Sequence, residues 1–274
     1  MDIKAFKMDG LGNDFVIIDQ RNQNYNLTKD QIIKICDRNF IGCDQLIFIQ
    51  KSDKKDAELA FYNSDGSVSG ACGNGTRCVA DLLSKEKNDK EIILWTSSGA
   101  LKSQILGDNL VETEIGVPKT NWNEIPLNQN LDTKNLNIKI INKNNIEHLG
   151  GTSVNVGNPH VVFFVDNIED YDLKKIGPEI ENHSYFPEKC NVTLAQVIDK
   201  KLIKVKVWER GAGLTKACGT AACATAVAAN INGLTDKTTD IEFTLGKLSI
   251  SIDENNSIHM KGPVSNIKNI EINI

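Results

Sequence analysis

Ala71-Cys72-Gly73-Asn74-Gly75-Thr76 and Ala217-Cys218-Gly219-Thr220-Ala221-Ala222 are near-copies of one stretch, 146 positions apart (218 − 72) in a chain of 274 residues. Each sets a cysteine immediately before what looks like the start of a helix. A helix start carries unpaired backbone N–H groups and the positive end of the helix dipole, a setting that lowers a thiol pKa from about 8.5 into roughly the 3.5–7.5 range. Glycine beside each cysteine lets those amides approach a ligand closely.

The likeness runs outward from the two cysteines. Tyr62-Asn63-Ser64 and Trp208-Glu209-Arg210 share the same offset and each ends a strand-like run. Gly12-Asn13 matches Gly157-Asn158, Cys43-Asp44 matches Cys190-Asn191, and Gly116-Val117-Pro118 matches Gly262-Pro263-Val264, all within one residue of that offset. Five blocks in the same order indicate an internal duplication, and the period is far too long for a solenoid. Each half has short β-branched strands (Phe15–Ile18, Leu46–Ile49), then the Cys-Gly turn and a helix, then further strands. The helices are expected over Thr76 to about Ser84 and Thr220 to about Asn230. The second, Ala-rich and uncharged, is apolar all round and so buried. The first looks more amphipathic, with Arg77, Asp81 and Lys85 spaced by four. The fold class is therefore α+β: two pseudo-symmetric lobes, each a curved sheet or barrel around a central helix, with the active site in the cleft between them. The expected lobes are residues 1-117 plus 263-274 and residues 118-262, with the Asn/Lys-rich stretch after Pro118 as the boundary region.

Composition limits the function. Forty per cent hydrophobic and 24% charged residues suit a soluble globular protein, and a net charge of −5 disfavours nucleic-acid or anionic-membrane partners. The N-terminus is too charged for a signal peptide, and Val161–Val165 is too short to span a bilayer. A cytoplasmic location is expected. Seven cysteines without a secretion signal suggest thiols rather than a disulfide framework. Cys36, Cys78 and Cys223 fit inert positions in helical patterns, and Cys43 and Cys190 fit structural ones near a site.

Three ligand chemistries fit the amides after Cys72 and Cys218. A phosphate is one, but no P-loop Lys-Ser/Thr and no dinucleotide fingerprint follow. A metal is another, but the cysteine spacings are unusual and no histidine stands at ligand spacing. The third is a pair of acid–base thiols, with the amides binding a carboxylate beside the reacting carbon. This one accounts for the duplication. Inverting a stereocentre by proton transfer needs a base on one face and an acid on the other, and thiolate and thiol exchange those roles when the direction reverses. Asn13, Asn63, Asn158 and Asn191 recur at matched strand ends and suit a polar substrate. Arg210 suits a carboxylate in fork geometry, and Glu209 suits an ammonium. His160 is a candidate to tune or hydrogen-bond a thiol, or simply to cap a loop. No serine-hydrolase triad spacing is visible.

At these residues the chain resembles the diaminopimelate epimerases. The matching segments are Gly10–Phe15, Ala71–Cys78, Gly157-Asn158-Pro159-His160, Glu209–Gly213 and Ala217–Thr220. The resemblance implies cofactor-independent interconversion of LL- and meso-2,6-diaminopimelate, serving lysine and peptidoglycan synthesis. It makes Cys72 and Cys218 the acid–base pair, with Gly73, Asn74, Gly219 and Thr220 binding the reacting α-carboxylate through helix-start amides. Asn13, Gln45, Asn63, Asn158, Asn191, Glu209 and Arg210 are implied to bind the remaining polar groups, and His160 and Glu209 to modulate the thiols. It implies no cofactor and no metal, a homodimer, and a last strand after Pro263 that returns to the first lobe. With no metal or pyridoxal lysine evident, the carbanion must be stabilised by amides in a closed, dry site, and without substrate the two thiols are candidates to oxidise to a disulfide. A proline or hydroxyproline racemase uses the same logic and is the rival enzyme. A non-catalytic small-molecule binding protein is the other rival, and the presence of both cysteines disfavours it.

Overall fold

The computed structural model describes residues 2–70, 72–97 and 99–274; Ala71 of the first motif lies outside the described residues. The chain divides into two compact units, Met1–Glu114 with Lys261–Ile274, and Ile115–Met260.

In the first unit the strand Asp2–Gly10 pairs antiparallel with both the last strand, Lys268–Asn273, and Asn13–Asp19. Asn13–Asp19 runs parallel to Gln45–Gln50, which pairs antiparallel with Ala57–Asn63. Ala57–Asn63 then takes Val68–Ser69 antiparallel and Glu91–Thr96 parallel. Gly99–Gly107 and Leu110–Gly116 complete an antiparallel run. Helix α1, Lys29–Cys36, starts at a capping box in which Thr28 and Gln31 bond each other's backbone. Helix α2, Gly73–Lys87, follows Cys72 and ends at Asn88 in the left-handed conformation.

The sheet is buried on both faces, which explains the unbroken apolar runs of its inner strands. Phe15, Ile17, Ile47 and Ile49 face a core shared with Cys78, Val79 and Leu83 of α2. Val16, Ile18, Leu46 and Phe48 face a second core with Ile32, Ile35 and Cys36 of α1. Gly75 is where α2 presses closest: a Cβ there would stand 2.7 Å from Ile47 Cδ1 and 3.0 Å from Phe61 Cε1. The amphipathic face expected from Arg77, Asp81 and Lys85 does not exist as such. Arg77 and Asp81 are buried, Arg77 donating to Asn74 Oδ1 at 2.8 Å and Asp81 accepting from the half-exposed Lys85 at 2.7 Å.

The second unit repeats that order of pairings. Thr152–Asn155 is antiparallel to Pro159–Phe164, which is parallel to Asn191–Asp199. Then come Leu202–Glu209 antiparallel, Gly213–Thr215 antiparallel, and Thr238–Phe243 parallel to Leu202–Glu209, followed by Gly246–Ile252 antiparallel. Register sharpens the duplication. Leu46 opposes Tyr62 as Val192 opposes Trp208, so Asn191 is the counterpart of Gln45 and not of Asp44. Among the elements with no forecast in the sequence patterns are the hairpin Ile138–Ile141 with Glu147–Gly150, and helix α3, Leu173–Glu181, capped by Asp172. Helix α4, Gly219–Ile231, is buried along nearly its whole length, as its composition requires. Among the described residues no helix is long and apolar enough to cross a membrane.

Candidate active site

Cys72 and Cys218 occupy the N-cap positions of α2 and α4 with almost the same backbone: φ −139°, ψ 113° and φ −138°, ψ 116°. Neither side chain offers a Ser, Thr, Asp or Asn oxygen of the usual capping kind. The first intrahelical bonds run from Thr76 N to Cys72 O (2.8 Å) and from Ala222 N to Cys218 O (3.1 Å). The N–H groups of Gly73, Asn74 and Gly75, and of Gly219, Thr220 and Ala221, precede those bonds and have no helical acceptor of their own, so each helix start offers an anion-seeking set of donors.

Around Cys72 the polar groups come from strand ends. Cys72 Sγ lies 3.6 Å from Asn13 Oδ1, and Asn74 Nδ2 donates to the same oxygen at 3.3 Å. Asn13 Nδ2 donates to Asp44 Oδ2 at 3.1 Å. An ionised carboxylate only accepts, so Asp44 fixes which way the Asn13 amide faces and leaves Oδ1 for the thiol. Arg38 bridges Asp14 (2.7 Å) and Asp44 (2.5 Å). Burial pushes the Asp14 carboxyl up, but the Arg38 bonds and charge outweigh it and hold Asp14 below the usual carboxylate range. Gln45 and Asn63 are cross-strand partners, with Gln45 Nε2 donating to Asn63 Oδ1 at 2.9 Å. Gln45 Oε1 is buried without a hydrogen-bond partner among the described residues, an acceptor suited to a ligand N–H.

Around Cys218 the setting differs. Cys218 is 6% exposed, with its sulfur 3.4 Å from Thr220 Oγ1. Burial pushes this thiol well above its ordinary range, and the charge of Glu209, which accepts a hydrogen bond from it, pushes the same way. The Thr220 hydroxyl and Ala221 N–H pull it down and do not win. Burial and the Glu209 charge therefore outweigh the donors at this helix start.

Glu209 and Arg210 sit at the end of Leu202–Glu209, in a turn tied on three sides. Arg210 N donates to Asn191 Oδ1 (3.0 Å), and its Nη1 donates to Glu188 O (2.8 Å). Glu181, buried at the end of α3, accepts from Trp208 Nε1 (2.7 Å) and Gly211 N (3.1 Å), the residues on either side of the Glu209-Arg210 pair. Trp208 packs against Gly177, where a Cβ would come within 2.4 Å of the indole. Glu181 and Asp44 are the supports that the sequence patterns missed. Gly177 and Glu181 stand one helical turn apart, which was the available signal.

His160 pairs with Asn191 across parallel strands and is buried; its Nε2 bonds Asn158 Oδ1 at 2.9 Å. Burial, with the charge of Arg210 adding, pushes it down to about 3, so it is neutral near pH 7. Since Asn158 Oδ1 accepts, Nε2 carries the proton and Nδ1 is an acceptor, buried and without a hydrogen-bond partner among the described residues. Asn191 Nδ2 donates to Pro159 O at 3.0 Å. Thus Asn13 stands beside Cys72 and Asn74, with the Gln45–Asn63 pair in the same unit, while Glu209 and Thr220 stand beside Cys218, with Asn158, His160, Asn191 and Arg210 in its unit. Among the described residues, no group of three His, Cys, Asp or Glu is placed to hold a metal.

Comparison with known proteins places these features. The family model described as diaminopimelate epimerase matches twice, over residues 5–120 and 152–267. A diaminopimelate epimerase of Pelagibacter ubique is 76% identical over 274 residues, covering all of both chains. Among solved structures, a phenazine biosynthesis protein of Bacillus anthracis superposes with a TM-score of 0.69 at 16% identity, covering all of both chains. A hydroxyproline epimerase of Agrobacterium vitis does so with a TM-score of 0.64 at 11% identity, over 98% of this chain and 91% of that one. These two likenesses establish the fold, a duplicated α+β architecture.

Proposed function

The chain belongs to the diaminopimelate epimerase family, and from that membership we propose that it interconverts LL- and meso-2,6-diaminopimelate by a cofactor-independent two-base proton transfer between Cys72 and Cys218. The observation that carries the proposal is the pair of cysteines at N-caps of matching geometry, each beside helix-start amides with no helical acceptor.

In this mechanism one cysteine, as thiolate, removes the α-proton, and the other, as thiol, delivers a proton to the opposite face. The environment of Cys218 supports its resting as the thiol, since burial and the Glu209 carboxylate both favour the protonated form. When the direction reverses, Glu209 is positioned to help draw the proton from that thiol. The amides of Gly73, Asn74, Gly219 and Thr220 take the reacting carboxylate, whose charge grows as the proton leaves. Arg210 grips the distal carboxylate. Gln45 Oε1, Asn63, Asn158 and Asn191 take ammonium and carboxylate groups, and Asn13 holds the Cys72 thiol. His160, neutral with Nδ1 as acceptor, acts as a hydrogen-bond modulator and not as a charge. The same reading gives a cytoplasmic homodimer that serves lysine and peptidoglycan precursor synthesis.

The test is a coupled assay on LL-diaminopimelate, with proline as control, combined with α-hydrogen exchange from solvent deuterium. A positioned acid or base contributes about 10²–10⁴-fold, so Cys72→Ala and Cys218→Ala should each lose at least about 100-fold in epimerisation. Full epimerase activity in either variant, or racemisation of proline and not diaminopimelate, defeats the proposal.

A further inference from the structure

Cys36 closes helix α1 and Cys43 ends the loop that follows; their sulfurs stand 3.4 Å apart, with the Cys43 thiol donating to Cys36. Cys43 N donates to Cys36 O at 3.1 Å and Gly42 N to Ile35 O at 3.0 Å, so the two backbones are already joined. A disulfide requires side chains from backbones about 4.4–6.8 Å apart at Cα, a separation compatible with that hydrogen-bonded neighbourhood. We propose that Cys36 and Cys43 form an oxidisable dithiol, a thiol site separate from Cys72 and Cys218, which a hydroperoxide converts into an intramolecular disulfide.

The surroundings favour the chemistry and divide the roles. The hydrogen bond from Cys43 favours the thiolate of Cys36, and the charge of Arg38 helps it against burial. Cys43, the donor, is pushed up by that bond and by its own burial. Cys36 is therefore the attacking sulfur and Cys43 the resolving one. The pair is buried at the edge of α1 in the core that this helix shares with the sheet, and the short loop joining the two cysteines carries the exposed residues Asp37, Arg38, Asn39 and Phe40. Opening that loop admits a small oxidant.

The step balances with the hydroperoxide as the two-electron oxidant. The Cys36 thiolate attacks the terminal peroxide oxygen, the O–O bond breaks, and the alkoxide leaves as alcohol with a proton from water, giving a sulfenic acid. Cys43 then attacks the Cys36 sulfur, the S–S bond forms, the S–O bond breaks, and water departs with the Cys43 proton. The two thiols lose two electrons and the peroxide gains two. The cross-link ties down the loop that carries Arg38 and the residue before Asp44, and so bears on the Arg38–Asp14–Asp44 cluster that orients Asn13.

Peptide mapping tests this without reference to the epimerase reaction. The full chain is treated with hydrogen peroxide, acid-quenched, alkylated in urea and digested with trypsin without reduction. Cleavage after Lys34, Arg38 and Lys51 puts Cys36 in Ile35–Arg38 and Cys43 in Asn39–Lys51. The expected product is these two peptides joined, two hydrogen atoms lighter than their sum, and separated again by a reducing agent. It should persist in a Cys72→Ser/Cys218→Ser variant and vanish in Cys36→Ser. Recovery of both peptides fully alkylated after peroxide, or either cysteine joined to a different one, overturns the proposal.

Discussion

Glu181→Gln tests how far the Glu209-Arg210 turn depends on the carboxylate that holds the residues on either side of it. Glu181 accepts from Trp208 Nε1 at 2.7 Å through one oxygen and from Gly211 N at 3.1 Å through the other. Glutamine keeps the shape but turns one acceptor into an N–H pair, so one of these two donors loses its partner and faces another donor. A hydrogen bond to a charged group contributes about 1.5–3 kcal/mol, and a buried donor left unsatisfied costs about 1–3 kcal/mol. The two descriptions overlap, and a loss of about 2–4 kcal/mol follows. At roughly 2–4 °C per kcal/mol for a domain of this size, the melting temperature should fall by about 4–16 °C. Relief of the tie should also let the turn move. Because a misplacement of about 1 Å in a positioning group can cost on the order of 10²-fold, kcat/KM for LL-diaminopimelate should fall about 10- to 100-fold, with KM rising as Arg210 loses its aim. Thermal unfolding by circular dichroism and a coupled assay run well below the lowered melting point give the two readouts. A lowered melting point with wild-type kcat and KM would show that Glu181 only holds α3 in place, and an unchanged melting point would show that the bonds contribute nothing.

Further outcomes follow from the same geometry. Asp44→Asn lets the Asn13 amide turn over, since asparagine can donate as well as accept; kcat should fall about 10-fold, the worth of one hydrogen bond of about 1.4 kcal/mol, and a wild-type rate refutes the orienting role. Gly75→Ala places a methyl 2.7 Å from Ile47 Cδ1; overpacking of about 1–3 kcal/mol should exceed the helix-propensity gain of about 1 kcal/mol, read as a lower urea midpoint. His160 has its folded pKa pushed down to about 3 against about 6.5 unfolded. Below pH 6.5 the unfolded chain therefore binds a proton that the folded chain refuses. Stability is unaffected above 6.5 and falls by up to about 1.4 kcal/mol per unit from there toward 3. Urea titrations from pH 7 to 5 should show a shallower decline in His160→Gln, and equal slopes refute it.

The duplication was legible because its marks are local: a cysteine before glycine at a helix start, an asparagine or glutamate at a strand end. Backbone geometry at such points is set by a few adjacent residues, so the helices begin within three residues of where the pattern puts them, at Gly73 and Gly219. What stayed hidden depends on distant neighbours. Helix α3 has Asp172 as N-cap and apolar Leu173, Ile176 and Ile180 on one face, yet Pro178 inside it argues against a helix. Arg77 and Asp81 look like a solvated stripe because burial of a charge depends on partners such as Asn74, which no periodicity reports. Cys36 and Cys43, seven positions apart, look like two separate core residues until the loop between them folds back.

The two halves share a backbone plan but not an electrostatic one, and that difference sets a last prediction. Cys72 is half-buried beside a neutral amide oxygen, whereas Cys218 is buried beside a carboxylate. Two acid–base groups of equal proton affinity would leave the resting enzyme a mixture of protonation states, only one of which suits a given direction. A carboxylate beside one thiol biases that thiol toward the protonated form. Glu209→Gln removes the charge while burial remains, so the Cys218 pKa should fall toward its ordinary value without reaching it. Since only the thiolate is alkylated, iodoacetamide at pH 8 should modify Cys218 faster in Glu209→Gln than in the wild type, and its pH–rate midpoint should move down. Alkylation followed peptide by peptide separates Cys218 from the other thiols. An unchanged midpoint would mean that burial alone raises the Cys218 thiol, and the asymmetry between the halves would then have to come from packing and not from charge.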